Sequence, residues 1–191
     1  MKISKLFTVA VLTLTFAVTT AQEATNFIAE AASSTINWKG YKPTGSHHGT
    51  IALQSGNLTV QDENIIGSFT VDMGSIKDAD GSAKLEGHLK SADFFDVAAF
   101  PIATFEITNS TVENGKTMVT GDITIKGITK QITFLAVVTE KEEAVTLTSE
   151  TFQINRAEFN IKYKSKSFFN NLKEKFINDE FDLQVSIVAK K

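Results

Sequence analysis

The chain has 191 residues, enough to bury one substantial core behind a leader but cramped for two domains. Its formal net charge of −3 offers no basic field for nucleic acid, and the absence of cysteine excludes disulfide stapling and thiol chemistry.

Lys2 and Lys5 precede an uncharged apolar run from Leu6 to Val18, after which Thr19-Thr20-Ala21 supplies small residues. That order predicts a secretory signal peptide over residues 1–21, cleaved after Ala21, since the run is short for a membrane span. The mature chain is therefore expected to be periplasmic or secreted. An exported chain without disulfides fits a bacterial periplasm best. Removal of Lys2 and Lys5 leaves 17 basic against 22 acidic side chains, a formal charge of −5.

Residues 22–33 are small, polar and unpatterned, and read as a flexible lead-in to a single domain over 34–191. From Ser34 to Tyr41, Ile36, Trp38 and Gly40 alternate with Asn37, Lys39 and Tyr41, the period of a half-buried strand. Trp38, the lone tryptophan, reads equally as a plug at one end of a barrel or as an ordinary core residue. Ile51 and Leu53 share a face, Ser55-Gly56 is expected to turn the chain, and Leu58 and Val60 share the next face before a turn at 62–64. Ile65, Gly67, Phe69, Val71 and Met73 then point one way, opposed by Ser68, Thr70 and Asp72.

Further on, Ala103, Phe105 and Ile107 alternate with Thr104, Glu106 and Thr108 up to Asn114-Gly115, the strongest short hairpin signal. Val119, Gly121, Ile123 and Ile125 form the next face, Lys126-Gly127 turns, and Ile128, Ile132, Phe134, Ala136 and Val138 return. Leu135 and Val137 make that strand apolar on both faces, so its outer side is expected to be covered. Between Ala144 and Ile154 the apolar parity slips, which predicts a bulge or bend near 149–151. Ala157, Phe159, Ile161 and Tyr163 continue the pattern, and Phe181, Leu183, Val185, Ile187 and Ala189 form the last strand. Short turns between one-sided strands predict an all-β fold, an antiparallel up-and-down barrel of about eight strands.

Two stretches break the alternation. Residues 82–90 read as a short helix with Ser82 as N-cap. In residues 165–178, Phe168, Phe169, Leu172 and Phe176 recur at helical spacing among lysines, which predicts a short amphipathic helix or aromatic flap. Both are expected to lie over the barrel mouth or along its side.

The stretch Gly87 to Phe105, GHLKSADFFDVAAFPIATF, resembles the signature of the YceI-like family. SSTINWKGYKPTGSHHGTI, GSFTVDMGSI, VTGDITIKGITKQITF, RAEFNI and DEFDLQVSIVAKK extend the likeness, in order, from about Ser34 to the C-terminus. The resemblance implies an elongated antiparallel lipocalin-like β-barrel whose interior holds a long isoprenoid or fatty chain.

Chemistry-bearing motifs are sparse. His47, His48 and His88 with Asp93 or Asp96 make a poor metal set, because adjacent histidines on a strand face opposite ways. No metal or cofactor is expected. No Gly-x-Ser-x-Gly, phosphate loop or dinucleotide fingerprint occurs, and the chain does not read as an enzyme. The favoured function is an exported carrier holding an isoprenoid, quinone-like or fatty-chain lipid, the class that the resemblance implies. Its candidate lining is Trp38, Phe69, Phe94, Phe95, Phe100, Phe105, Phe134, Phe159 and Phe181, with His88 and Arg156 as candidate rim or headgroup residues. Small residues on the dry faces, Gly67, Ala103, Gly121 and Ala136, either leave room for a ligand or mark the bends a barrel requires. Pairing of Arg156 with a carboxylate is preferred to a headgroup role. A filled barrel serving as a surface or stress-associated interaction module is the second reading, marked by an exposed apolar patch around Phe168 and Phe169. A hydrolase built on Asp93, Asp96 and His88 is the third. The expected partners are an amphiphilic lipid and, transiently, a membrane surface, for a monomer or homodimer.

Overall fold

A computed structural model describes residues 23–62 and 64–191, so the expected signal peptide lies outside the described residues. The strands in order are β1 (Thr25–Ala29), β2 (Thr35–Lys42), β3 (Gly45–Gln61), β4 (Asn64–Asp78), β5 (Ile102–Glu113), β6 (Lys116–Ile125), β7 (Ile128–Lys141), β8 (Ala144–Ser149), β9 (Phe152–Asn155) and β10 (Glu180–Lys190). One helix, α1 (Ala83–Lys90), lies between β4 and β5. Antiparallel pairing runs from β10 through β2, β3, β4, β5, β6 and β7 to β8, and β8 pairs back onto β10, so the sheet closes as a barrel of eight. Closure pairs the strands around most of the ring, which limits the aggregation hazard of an open sheet; the break lies between β7 and β9, since β9 pairs with β10 alone.

Two staves of the barrel are broken in the middle. β1 pairs with β3 and with the end of β10, and β2 continues the same position after a 3-10 turn at Ala31–Ser33. The described part of the expected lead-in, residues 23–33, is not unpatterned: β1 occupies half a stave, and Phe27 is wholly buried between its long-range partners. On the other side, β8 and β9 share the place beside β10, separated at residues 150–151, where the parity slip falls.

Sequence and structure also part at Ser55-Gly56. There β3 runs through without a turn, carrying a register irregularity between Leu53 and Ser55. Gly56 is required because the Phe69 ring lies across it, 2.5 Å from where a Cβ would stand. Gly121 serves likewise, under the Phe105 ring and 2.4 Å from the Glu106 carbonyl. The small residues at Gly67 and Gly121 therefore mark close backbone approach, and Ala136 is packed in the filled half; of the four, Ala103 faces open space. The hairpins at Asn114-Gly115 and Lys126-Gly127 carry the paired positive φ values of type I′ turns.

The interior divides into two clusters. One end is packed solid by Phe27, Leu58, Ile65, Val119, Val145 and Ala189. The plug of the closed end is thus Phe27, while Trp38 stands half-buried nearer the opposite end. Leu135 and Val137 remain exposed on the outer face of β7, so no part of the described chain covers them. Replacing Phe27 by Ala is expected to cost about 3–5 kcal/mol in urea unfolding. An unchanged midpoint would mean that β1 is an appendage and not a stave.

Candidate functional site

The end of the barrel opposite Phe27 is roofed by two connections. Ser82 caps α1, its hydroxyl accepting from the Leu85 amide, which fixes Leu85 and Leu89 one helical turn apart toward the interior. The loop after α1 folds back on the helix: the Phe95 amide donates to the Leu89 carbonyl and Val97 to Lys90. Lys126 in the β6–β7 turn donates to the Phe94 carbonyl at 2.9 Å, and the Phe100 ring covers Gly127 in the same turn. The aromatic loop is thereby pinned at both ends.

The second connection is a strap from Arg156 to Asp179. Residues Arg156–Phe159 form a 3-10 turn and the stretch beyond is a chain of turns, with positive φ at Asn160, Lys164 and Lys173. The strand expected through Ala157, Phe159, Ile161 and Tyr163 is absent, and of the two forms expected over 165–178, helix or aromatic flap, the stretch takes the non-helical one. Arg156 explains the shape. Its guanidinium is 3 % exposed and donates to the carbonyls of Ile161, Ile177 and Asn178 at 2.9–3.0 Å, drawing the two ends of the strap together. It also pairs with Asp179 at 3.3 Å and lies over the Phe94 ring at 5.4 Å. A helix over 165–178 would not bring those carbonyls to one cation.

Burial works to raise the Asp179 carboxyl, but Ser165, Ser167 and the Arg156 charge outweigh it and hold the group below the ordinary carboxylate range. Burial pulls the Arg156 guanidinium below its ordinary value, with Asp179 and Glu180 opposing.

Beneath these roofs lies an apolar cavity of about 190 Å³. Its walls include Trp38, Ile51, Met73, Ile76, Ala103, Ile123, Ile125 and Phe181 from the strands, Leu85 and Leu89 from α1, Phe94 and Phe95 from the loop, and Ile177 from the strap. Polar groups enter at Tyr41, Lys42, His47, Asn178 and Arg156. A second cavity of about 90 Å³ lies deeper, walled by Phe69, Phe105, Phe134, Phe152 and Ile132. Ile36, Val71, Ile123 and Leu183 border both, so the two apolar cavities are neighbours along the barrel interior. For scale, an engineered apolar cavity of about 150 Å³ admits benzene.

The nine predicted rings separate accordingly. Trp38, Phe94, Phe95 and Phe181 line the larger cavity, and Phe69, Phe105 and Phe134 the deeper one. Phe100 does not reach either, being spent on Gly127, and Phe159 is buried behind the wall in the 3-10 turn. His88 lines neither cavity: it stacks edge-on against Phe94 and Tyr163, joining the helix to the strap. Its Nε2 lies 3.5 Å from Asp93. Asp96 instead turns the loop at φ 50° and makes no ion pair or side-chain hydrogen bond to His88 or Asp93 among the described residues. The three groups proposed for a hydrolase do not converge.

Sequence reasoning missed the aliphatic walls, Met73, Ile76, Leu85, Leu89, Ile125 and Ile177, because it weighed rings over aliphatics. The i, i+4 spacing of Leu85 and Leu89 on a capped helix was the available signal. It also missed that His47, on β3, meets Asp78 at the end of β4, 3.8 Å away.

A family model described as the YceI-like domain matches residues 13–189. The Salmonella arizonae protein YceI is 33% identical over 92 residues, 47% of this chain and 47% of that protein, so the match spans about half the length of the curated relative. Among solved structures, Burkholderia cenocepacia BcnA superposes with a TM-score of 0.68 at 20% identity, covering 85% of this chain and 99% of that one. A polyisoprenoid binding domain from Saccharophagus degradans, implicated in plant cell wall breakdown, gives 0.64 at 13% identity, covering 86% and 97%. At these identities the likeness is one of fold.

Arg156→Met is expected to cost about 3–5 kcal/mol, because Asp179 would be left buried and unpaired. The Asp179 contribution should be full above the unfolded carboxylate pKa of about 3.9 and fade as pH falls through the lower folded value. Urea midpoints measured down the acid range should therefore fall less steeply in Asp179→Asn than in the parent. Equal slopes would show that the pair does not couple folding to the proton.

Proposed function

The chain belongs to the YceI-like family, and from that premise and the hollow upper half of its barrel we propose that it is an exported carrier of an isoprenoid, quinone-like or fatty-chain lipid. The observation that carries the proposal is the apolar cavity roofed by α1, the aromatic loop and the strap. Its walls are aliphatic and aromatic, and no described cluster around them assembles a nucleophile and base. Binding and release, with no bond made or broken, is the chemistry such a space supports.

The energetics favour exchange. Each methylene drawn from water into the cavity is stabilised by about 0.8 kcal/mol, but a bilayer solvates it almost equally well. Transfer between membrane and protein is therefore near balance, and modest shape matching suffices to load or unload the site.

The strap suits the membrane end of that exchange. Phe168 and Phe169 are 42% and 46% exposed, and Lys162, Lys166, Lys173 and Lys175 stand exposed around them. Lys162 lies over the Phe168 ring and Lys166 over Phe176, so apolar and cationic groups are presented together. In a chain of negative net charge this basic, aromatic surface complements an anionic bilayer, where each lysine near the surface contributes about 1 kcal/mol. The same exposed rings were the mark of the interaction-module reading, but that reading also required a filled barrel.

Two measurements test this function. Protein purified without added lipid should release a long-chain lipid on organic extraction, and Ala103→Trp, which fills the larger cavity, should cut the bound amount at least roughly tenfold. A bare native mass with no uptake of an added prenyl chain would overturn the carrier. Separately, co-sedimentation with anionic vesicles should weaken roughly tenfold in the Phe168→Ser, Phe169→Ser double variant, from loss of apolar area. Unchanged sedimentation would reject the docking surface while leaving the cavity intact.

A further inference from the structure

At the cavity rim, β3 and β4 approach more closely than side chains allow. A Cβ on Gly49 would stand 1.8 Å from the Lys77 carbonyl, so only glycine lets the end of β4 reach this position. Gly49 is in register with Asp78, and the Ala79 amide donates to the His48 carbonyl. This contact carries Asp78 under the imidazole of His47. The Asp78 side chain is 1% exposed, and its Oδ1 has no hydrogen-bond partner; neither has the buried Nδ1 of His47, 3.8 Å away. An unpaired buried carboxylate oxygen facing an unpaired buried ring nitrogen is costly unless something sits between them. Exposed Asp80 completes the group, with one atom from each of the three residues within 4.8 Å of the others.

We propose that His47 Nδ1, Asp78 Oδ1 and the Asp80 carboxylate form a binding site for a divalent cation of the zinc class. One imidazole and two carboxylates suit such an ion, with further positions left to water. Two tetrahedral ligands at ordinary zinc distances stand about 3.4 Å apart, so the His47–Asp78 pair at 3.8 Å needs to close only slightly to share an ion. Asp80 is exposed and within 4.8 Å of the others, so a small side-chain movement brings it to ligand separation. The second oxygen of Asp78 accepts from the Ser82 amide at 3.1 Å, which fixes the carboxylate as outer hydrogen bonds do at metal sites. Lys42 faces the other ring nitrogen of His47 at 3.4 Å; its exposed ammonium turns away once that nitrogen carries the proton. The site stands on its own geometry and does not depend on the lipid reading.

Calorimetric titration of the chelator-stripped mature protein with zinc ion alone tests the proposal. One ion per chain is expected, with affinity reduced at least roughly tenfold in His47→Ala and in Asp80→Asn, and unchanged in His48→Ala. Asp80 is exposed, so its variant keeps the fold. Imidazole nitrogen resonances should shift at Nδ1 of His47 on binding. Absence of binding, binding indifferent to Asp80→Asn, an equal loss in His48→Ala, or a shift confined to another histidine would each overturn it.

Discussion

A single buried cation sets the form of the open end. Arg156, the only arginine of the chain, spends its guanidinium on three backbone carbonyls, one carboxylate and the face of Phe94. Lysine could not replace it, because a compact ammonium cannot span carbonyls on opposite ends of a strap in one plane. The strap so gathered delivers Ile177 and Asn178 to the cavity wall, and the Asn178 amide bonds the Tyr41 carbonyl on β2. Without that gathering, one side of the cavity would open to water.

The barrel is thereby asymmetric along its axis. Where the hairpins are tight, rings and aliphatics interlock and Phe27 seals the end. Toward the long connections, β9 pairs with β10 alone, so the wall between β7 and β9 depends on side chains. The Phe134 and Phe152 rings stack there at 4.4 Å, and Phe105 leans on Phe134 at 5.7 Å. Packing is tightest at the Phe27 end, and accessible volume grows from the deeper cavity toward the roof. That separation lets the roof loosen for a ligand without melting the core, since locally opening units are those with few buried contacts.

Much of this was legible in the residues and some was not, for identifiable reasons. Strands with strict alternation, such as Val119 to Ile125, betray their faces because period two is a local property. The cap at Ser82 and the turn at Asn114-Gly115 are local too. β1 was illegible because five residues carry too little pattern, and its partners Leu58 and Ala189 are distant in sequence. The strap carries real helical spacing of Phe168, Phe169, Leu172 and Phe176, which leaves helix and flap equally open to a reading of the residues. Helix propensity is a weak preference, and a buried arginine claiming carbonyls from both ends overrides it. Gly56 deceived because glycine marks turns and close ring contacts alike, and only the partner strand reveals which.

The same reasoning ranks the aromatic residues. A phenylalanine in a signature motif carries no label for ligand contact, and Phe100 and Phe94, six residues apart, have opposite duties. Phe100 holds the loop to the β6–β7 turn, whereas Phe94 sits between His88, Tyr163, Arg156 and the cavity. Phe94 therefore touches the helix, the strap clasp and the lipid space at once. A ligand that displaces this ring disturbs the packing around Arg156, and loosening of the clasp frees the ring to move. If the cavity is filled as proposed, such coupling would be reciprocal, tying occupancy to the position of the strap through this one ring.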